Sequence, residues 1–203
     1  MFRGRVHPML LSRELAGDRT LVGVDYYSGI HDMDERASMY DLVSRRHDLI
    51  RRTGVQVTER TLRYHWEWSV DDDDLPSPWE DKGDDRRTAK VKRRRVAREK
   101  GIDVALALDA VAAAFTDSCD VVIVVSRDRD LMEIANEINE RADTRSVKVE
   151  VAFVQERRSE PIEMADYDGR QIIGKEMVDR ARDDFDYSQP LDEADVERFL
   201  SGL

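Results

Sequence analysis

The sequence predicts an α/β fold, a three-layer sandwich in which helices cover both faces of a mostly parallel central sheet. The first observation is the run Val121–Val125, five β-favouring residues without a polar interruption, which is typical of a strand buried on both faces. The second is the segment Ile102–Phe115, which is apolar on nearly every side and predicts a buried helix. The third is the alternation of predicted strands and helices, which is typical of parallel strands joined by right-handed crossovers.

The other elements follow from hydrophobic spacing and from the positions of glycines. Apolar residues over 9–15 predict a short helix that Gly17 ends. Residues 20–27 predict a strand that Ser28 and Gly29 end. The remaining predicted elements are a helix over 39–50 ended by Gly54, one or two half-buried strands over 55–68, a strand over 147–154 and a helix over 193–200.

Composition indicates a soluble protein with one main domain. The chain has 203 residues, of which 40% are hydrophobic and 38% charged, enough apolar residues for one core. We predict a single domain over 1–187 and a C-terminal helix or tail over 188–203. No apolar run approaches the roughly 18 to 20 residues of a membrane span, and the first residues lack a signal-peptide core. With a single cysteine, Cys119, the sequence predicts a cytoplasmic protein in a reducing compartment, with no membrane contact.

Charge is distributed unevenly along the chain. The net charge of −11 argues against non-specific adhesion to nucleic acid over the whole surface. Acidic residues concentrate over 71–85, within a predicted solvated loop that we interpret as an insertion over 71–87. Residues 86–100 are basic, and they contain Arg86, Arg87, Lys90, Lys92, Arg93, Arg94, Arg95, Arg98 and Lys100.

Three aspartates occupy positions where a carboxylate is costly unless it has a role. Asp103 lies in the first turn of the predicted buried helix, with its carboxylate directed inward, and Asp128 and Asp130 follow the predicted buried strand. If these ends face one crevice, the three carboxylates meet and need a cation, for which Mg²⁺ or Mn²⁺ suits oxygen ligands better than zinc. The alternative roles are structural, since each aspartate could instead cap a helix or favour its dipole. Asp109 lies about 240° around the helix from Asp103 and faces elsewhere.

The two segments that carry these aspartates resemble a known family. The run E-K-G-I-D-V-A-L-A-L-D over 99–109 and the run V-V-I-V-V-S-R-D-R-D-L over 121–131 are similar to the paired signature of the NYN domain family of PIN-like ribonucleases. That signature is Lys-Gly-Val-Asp before an apolar helix, then a hydrophobic strand that ends in Ser-Gly-Asp-Ser-Asp-Phe. Weaker similarity covers 21–29, 54–57 and 147–153, which correspond to the family's second strand, the turn into its third strand and its fifth strand.

The resemblance implies a PIN-like, Rossmann-like fold and a metal-dependent ribonuclease that acts on single-stranded or structured RNA. Asp103, Asp128 and Asp130 would hold Mg²⁺ or Mn²⁺, which activates water and orients the scissile phosphate. Ser126 would cap the following helix or touch the substrate. The residues implied in contacts with RNA are Lys100, Arg93, Arg94, Arg95, Ser126 and Arg129. The alternative for the basic run is a solvated edge strand.

The sequence departs from the family pattern at three places. Arg127 replaces a glycine and Arg129 replaces a small residue. Nothing before Thr20 matches the family's first strand, which ends in another metal-binding aspartate. Either the true start lies upstream of Met1 or Asp25 takes the place of that acid, and the order of elements favours the first explanation.

Two other functions are compatible with parts of the sequence. A degenerate NYN domain would bind RNA or a protein partner without cleaving, which the departures favour. A haloacid-dehalogenase-like phosphatase or a Toprim site would explain Asp128 and Asp130, but the phosphatase motif follows the first strand, and a Toprim site needs an earlier strand ending in glutamate. Homo-oligomer formation stays open.

Overall fold

A computed structural model describes residues 5–70, 91–116, 118–126, 128–140, 147–154 and 167–203. The acidic loop predicted for 71–87 lies outside these residues. The helices are α1 (Pro8–Ala16), α2 (Met33–Arg52), α3 (Ile102–Phe115), α4 (Glu133–Glu140), α5 (Lys175–Arg180) and α6 (Glu193–Ser201), with a 3₁₀ turn at Arg129–Met132 before α4. The strands are β1 (Arg5–Val6), β2 (Asp25–Ile30), β3 (Gln56–Thr61), β4 (Arg63–Val70), β5 (Val91–Arg98), β6 (Val121–Val125), β7 (Lys148–Phe153), β8 (Gly169–Ile172) and β9 (Arg182–Asp183).

The protein is a mixed α/β fold whose described strands form four small sheets. β2 pairs with β3 in parallel, and β6, β7 and β8 form a parallel sheet in that order. The pairs β1 with β9 and β4 with β5 are antiparallel. The α/β class is therefore confirmed, whereas a single central sheet between two helical layers is not what the described strands form.

The strand predicted over 20–27 lies later in the chain than expected. β2 begins at Asp25 and runs through Gly29 to Ile30, in register with Gln56 to Thr61 of β3. Gly29 is therefore inside the strand and does not end it. A Cβ atom at Gly29 would lie 2.5 Å from Cδ2 of Leu62. The glycine therefore allows β2 and the Leu62 side chain to lie close together.

The helix predicted over 39–50 is longer than expected. α2 begins at Met33, because the Asp32 carboxylate accepts a hydrogen bond from the Asp34 N–H at 2.9 Å and caps the first turn. Arg36 has non-helical dihedral angles, so the helix is kinked near its start. Gly54, with a φ of +87°, follows the end of the helix as predicted.

The prediction of full burial for β6 and α3 is wrong. Within β6 only Val124, which packs in a cluster with Ile134 and Val149, is buried, whereas Val125 is exposed at the carboxyl end of the strand. In α3 the buried residues are Ile102 and Ala114, whereas Val104 and Leu108 are 62% and 65% exposed. Asp103 is exposed as well, so its carboxylate is not directed into the interior.

The C-terminal helix packs on the body of the protein. Val196 of α6 is fully buried in a cluster with Leu49 of α2 and with Tyr187. A larger cluster joins α3, α4, β6 and β7 around Val124, Ile134 and Val149. The division into 1–187 and 188–203 stays a prediction. No helix in the described part of the chain is long and apolar enough to span a membrane.

Candidate functional site

The start of α3 and the ends of β2 and β6 lie at one edge of the molecule. α3 packs against both strands. It runs antiparallel to β2, because the Tyr27 hydroxyl bonds Asp109 whereas Gly29, later in the strand, lies beside Glu99, just before α3. Only five residues separate α3 from β6. Because this connection is short, β6 runs alongside the helix in the opposite direction. The amino end of α3 therefore faces the carboxyl ends of both strands, the usual position for a ligand site in α/β proteins.

The segment after β6 is a hydrogen-bonded turn that positions two of the predicted acids. Ser126 Oγ accepts a hydrogen bond from the Asp128 N–H at 3.0 Å, and Asp128 Oδ1 accepts one from the Asp130 N–H at 3.0 Å. Asp128 is thereby the N-cap of the 3₁₀ turn, the capping role that the sequence analysis gives as the alternative to metal binding. Asp128 and Asp130 are both exposed, so solvent reaches both residues.

The segment before α3 places two carboxylates side by side. Gly101 is the N-cap of α3 and has a left-handed φ of +79°, which turns the chain from β5 into the helix. Asp103 lies in the first turn, where the helix dipole favours negative charge. The pKa of the Glu99 carboxyl is raised above its usual value, first by burial and second by the negative charge of Asp103. A cation between these two carboxylates would relieve their repulsion.

The three predicted acids do not form a closed cluster in the described part of the chain. Among the described residues, no three aspartate, glutamate, histidine or cysteine side chains lie together so that they could hold a metal ion. Asp103 on the one side and Asp128 with Asp130 on the other share an edge, and their role as ligands stays a prediction.

Asp25 lies at the opposite end of β2 from this edge. It is the first residue of the strand, about 17 Å from the last at ~3.3 Å per residue. The pKa of the Asp25 carboxyl is raised by burial and by the charge of Asp109, and Asp109 Oδ2 accepts the hydrogen bond of the Tyr27 hydroxyl at 2.8 Å. Asp25 therefore lies within the electrostatic influence of Asp109, at the opposite end of β2 from the edge that carries Asp103.

The basic residues predicted to contact RNA are divided between two faces of the antiparallel pair β4 and β5. Arg93 and Arg95 lie opposite Trp68 and Trp66 on one face, and Arg94 lies opposite Glu67 on the other. Lys100 is exposed between β5 and α3, two residues after the strand. The side chain of Arg129 lies outside the described residues.

Glu99 lies at this edge, although the sequence analysis assigns no role to it. It directly precedes Lys100 and Gly101 in the E-K-G-I-D segment. The sequence does contain a signal for a role of Glu99, because it is a single acid at the end of a strand of basic residues.

These features define an α/β protein with exposed acids at the carboxyl ends of parallel strands, beside a basic strand. The sequence over residues 43–169, more than half of the chain, matches the NYN domain family, and the chain belongs to that family. NYN domains are PIN-like nucleases and are generally dependent on divalent metal ions. No curated protein and no solved structure matches the chain.

Proposed function

We propose that the protein is a metal-dependent ribonuclease that hydrolyses phosphodiester bonds of RNA at the edge formed by α3 and β6. Membership of the NYN family supports a nuclease. The observation that carries the site is the shared edge, where Asp103 lies in the first turn of α3 and Asp128 and Asp130 follow β6.

The donor atoms at this edge fit Mg²⁺ or Mn²⁺ in kind. They are exposed carboxylate oxygens, without a cysteine or histidine among the proposed ligands Asp103, Asp128 and Asp130. Burial and, after it, the negative charge of Asp103 raise the pKa of the Glu99 carboxyl, and a divalent cation at this edge would offset the repulsion between the two carboxylates. When bound, such an ion would supply Lewis-acid activation of water and of the phosphate.

The remaining roles belong to side chains of the chain itself. Ser126 holds the turn after β6 through its bond to the Asp128 N–H, so that the carboxylates of this turn keep a fixed direction. Lys100 presents a positive charge three residues before Asp103, and this charge favours a backbone phosphate beside the acids. The proposal includes a PIN-like sandwich in which β2 and β6 lie in one layer under α3, which packs against both.

A cleavage assay tests this proposal. A 5′-labelled single-stranded RNA is incubated with the purified protein and Mn²⁺ or Mg²⁺, and in parallel with EDTA. We expect cleavage that needs metal and falls at least about 100-fold in Asp128→Asn, since this change removes a charge that holds the ion. Asp120→Asn is the matched control, because Asp120 is exposed at the other end of β6. Equal losses in both variants, or cleavage that persists in EDTA, would contradict the assignment.

A degenerate domain that binds RNA without cleaving it is the second candidate. It is favoured by the capping role of Asp128 Oδ1, which holds the turn whether or not a metal binds. This candidate predicts metal-independent RNA binding, no cleavage by the wild type, and unchanged binding in Asp128→Asn.

A further inference from the structure

The antiparallel pair β4 and β5 forms a ribbon with two chemically different faces. In the observed register Trp66 lies opposite Arg95 and Trp68 opposite Arg93, and directly opposed residues share a face. The intervening pair, Glu67 opposite Arg94, lies on the other face. We call the first surface the aromatic face; it consists of Tyr64, Trp66, Trp68, Arg93 and Arg95.

The aromatic face presents its tryptophans to solvent. Trp66 and Trp68 are 54% and 72% exposed, although tryptophan side chains are usually among the most covered in a protein. The guanidinium carbon of Arg93 lies 4.9 Å from the ring centre of Trp66 and 5.9 Å from that of Trp68. Two exposed rings and a cation thus form one continuous surface.

The ribbon is fixed to the body at its base. His31 Nδ1 and the Tyr64 hydroxyl lie 2.6 Å apart in a hydrogen bond that ties β4 to the segment after β2. Arg95 lies over the Tyr64 ring and pairs with Glu35 of α2. The tryptophans are farther along the ribbon than this anchor, so they are exposed on a supported element.

The charge of the ribbon is opposite to that of the whole protein. The net charge of the chain is −11, whereas the two strands contain one acidic residue, Glu67. Their basic residues are Arg63, Lys92, Arg93, Arg94, Arg95 and Arg98. Positive charge interleaved with exposed aromatic rings suits a polyanion whose bases are available for stacking, and it suits an apolar protein partner less well.

We propose that the aromatic face binds single-stranded RNA, with unpaired bases stacked on Trp66 and Trp68 and the backbone phosphates neutralised by Arg93 and its basic neighbours. This inference rests on the proposed function for its substrate class and adds the surface that selects unpaired strands. Duplex RNA hides its bases and would reach only the cations.

The ribbon leads directly to the candidate acids. β5 ends at Arg98, and Asp103 follows five residues later. Trp68, opposite Arg93, lies five residues farther along the ribbon than Arg98, about 17 Å at ~3.4 Å per residue. A single-stranded RNA whose bases stack on both tryptophans would therefore extend, within a few nucleotides, toward the edge that carries Asp103.

Binding is measured apart from cleavage, by fluorescence anisotropy of a 5′-labelled, unstructured 12-nucleotide RNA in EDTA. Trp66→Ala and Trp68→Ala should each weaken binding by about 5- to 150-fold, the change that base–aromatic stacking of ~1–3 kcal/mol corresponds to. Trp68→Phe should recover most of the loss, because it retains a ring. His65→Ala is the control, since His65 lies on the opposite face of the same strand and should leave the dissociation constant unchanged.

The outcomes separate this inference from the proposed function. Weaker binding by the tryptophan variants supports the aromatic face, even if the wild type cleaves nothing when metal is added. Unchanged binding in both tryptophan variants overturns it, even if cleavage depends on Asp128. Equal affinity for a duplex of the same sequence would also overturn it, as would a tryptophan-dependent change of oligomeric state without a change in RNA binding.

Discussion

Arg46 and Asp183 form an ion pair that joins α2 to β9 in the interior. Nε of Arg46 donates to Oδ2 of Asp183 at 3.1 Å, and the Asp183 side chain is fully buried. The remaining nitrogens of Arg46 donate to the Tyr26 hydroxyl and to the carbonyl of Val6, both at 2.9 Å. Tyr187 donates its hydroxyl proton to Oδ1 of Asp183 at 2.8 Å. One guanidinium thus links four segments of the chain.

Asp183→Asn should lower the free energy of unfolding by about 3 kcal/mol, because Arg46 would keep a mostly buried charge without an anion. Asp184→Asn is the control: Asp184 is exposed and pairs with Arg182 at the surface, so its loss should cost less than about 1 kcal/mol. Urea unfolding followed by circular dichroism measures both. Similar midpoints for the two variants would show that the buried pair contributes little.

Gly101→Ala should destabilise the protein by about 1 to 2 kcal/mol, since Gly101 has a φ of +79° that an L-residue adopts at a cost. The control is Gly174→Ala. Gly174 is also a glycine N-cap, its φ is −84°, and a Cβ at either position meets open space. The difference between the two variants in thermal unfolding therefore isolates backbone strain. Equal costs would assign the effect to capping alone.

Gly29→Ala should cost about 1 to 3 kcal/mol by overpacking, because the new methyl group would lie 2.5 Å from Cδ2 of Leu62. Leu62→Ala in the same chain should recover part of this loss, and the double-mutant cycle measures the coupling. Gly23→Ala, where a Cβ meets nothing within 4 Å, is the control. Additive effects at Gly29 and Leu62 would contradict the close approach.

The wild type should lose stability between pH 6.5 and about 4, in part through His7. Burial lowers the pKa of His7 to about 4, against the opposing charge of Asp183. Below pH 6.5 the unfolded chain binds a proton that the folded protein does not, so the free energy of unfolding falls as pH falls.

His7→Asn tests this, because asparagine can also accept the Met9 N–H and cannot titrate. Unfolding in urea at several pH values should give a smaller pH dependence for the variant. Some dependence should persist, since burial also lowers the pKa of His47. Identical slopes for wild type and variant would exclude His7 as a contributor.

The local parts of the fold could be predicted from the sequence because their signals are local. The apolar run of β6, the helix α3 and the glycine after α2 were identified at their observed places. The pair Asp128 and Asp130 was placed at the end of a strand for the same reason.

The predictions that are wrong concern features that depend on contacts between residues far apart in the sequence. The sequence around Gly29 is compatible with two roles, the end of a strand or a position that leaves room for the Leu62 side chain. Only the packing of the folded protein distinguishes between them. The exposure of α3 and β6 depends on which segments cover them, which their own apolar composition does not reveal. The two faces of the ribbon depend on the register between β4 and β5, so the basic run alone could not separate Arg93 from Arg94.

The pairing of β1 with β9 has a consequence for the order of folding during synthesis. Arg5 donates a hydrogen bond to the carbonyl of Phe185, 180 positions later, and Val6 pairs with Arg182. A nascent chain emerges from its amino end, so β1 and α1 leave the ribosome long before β9, which pairs with β1, and α5, on which α1 packs, have been synthesised. β1 therefore stays without its partner strand until Arg182 and Asp183 have been synthesised.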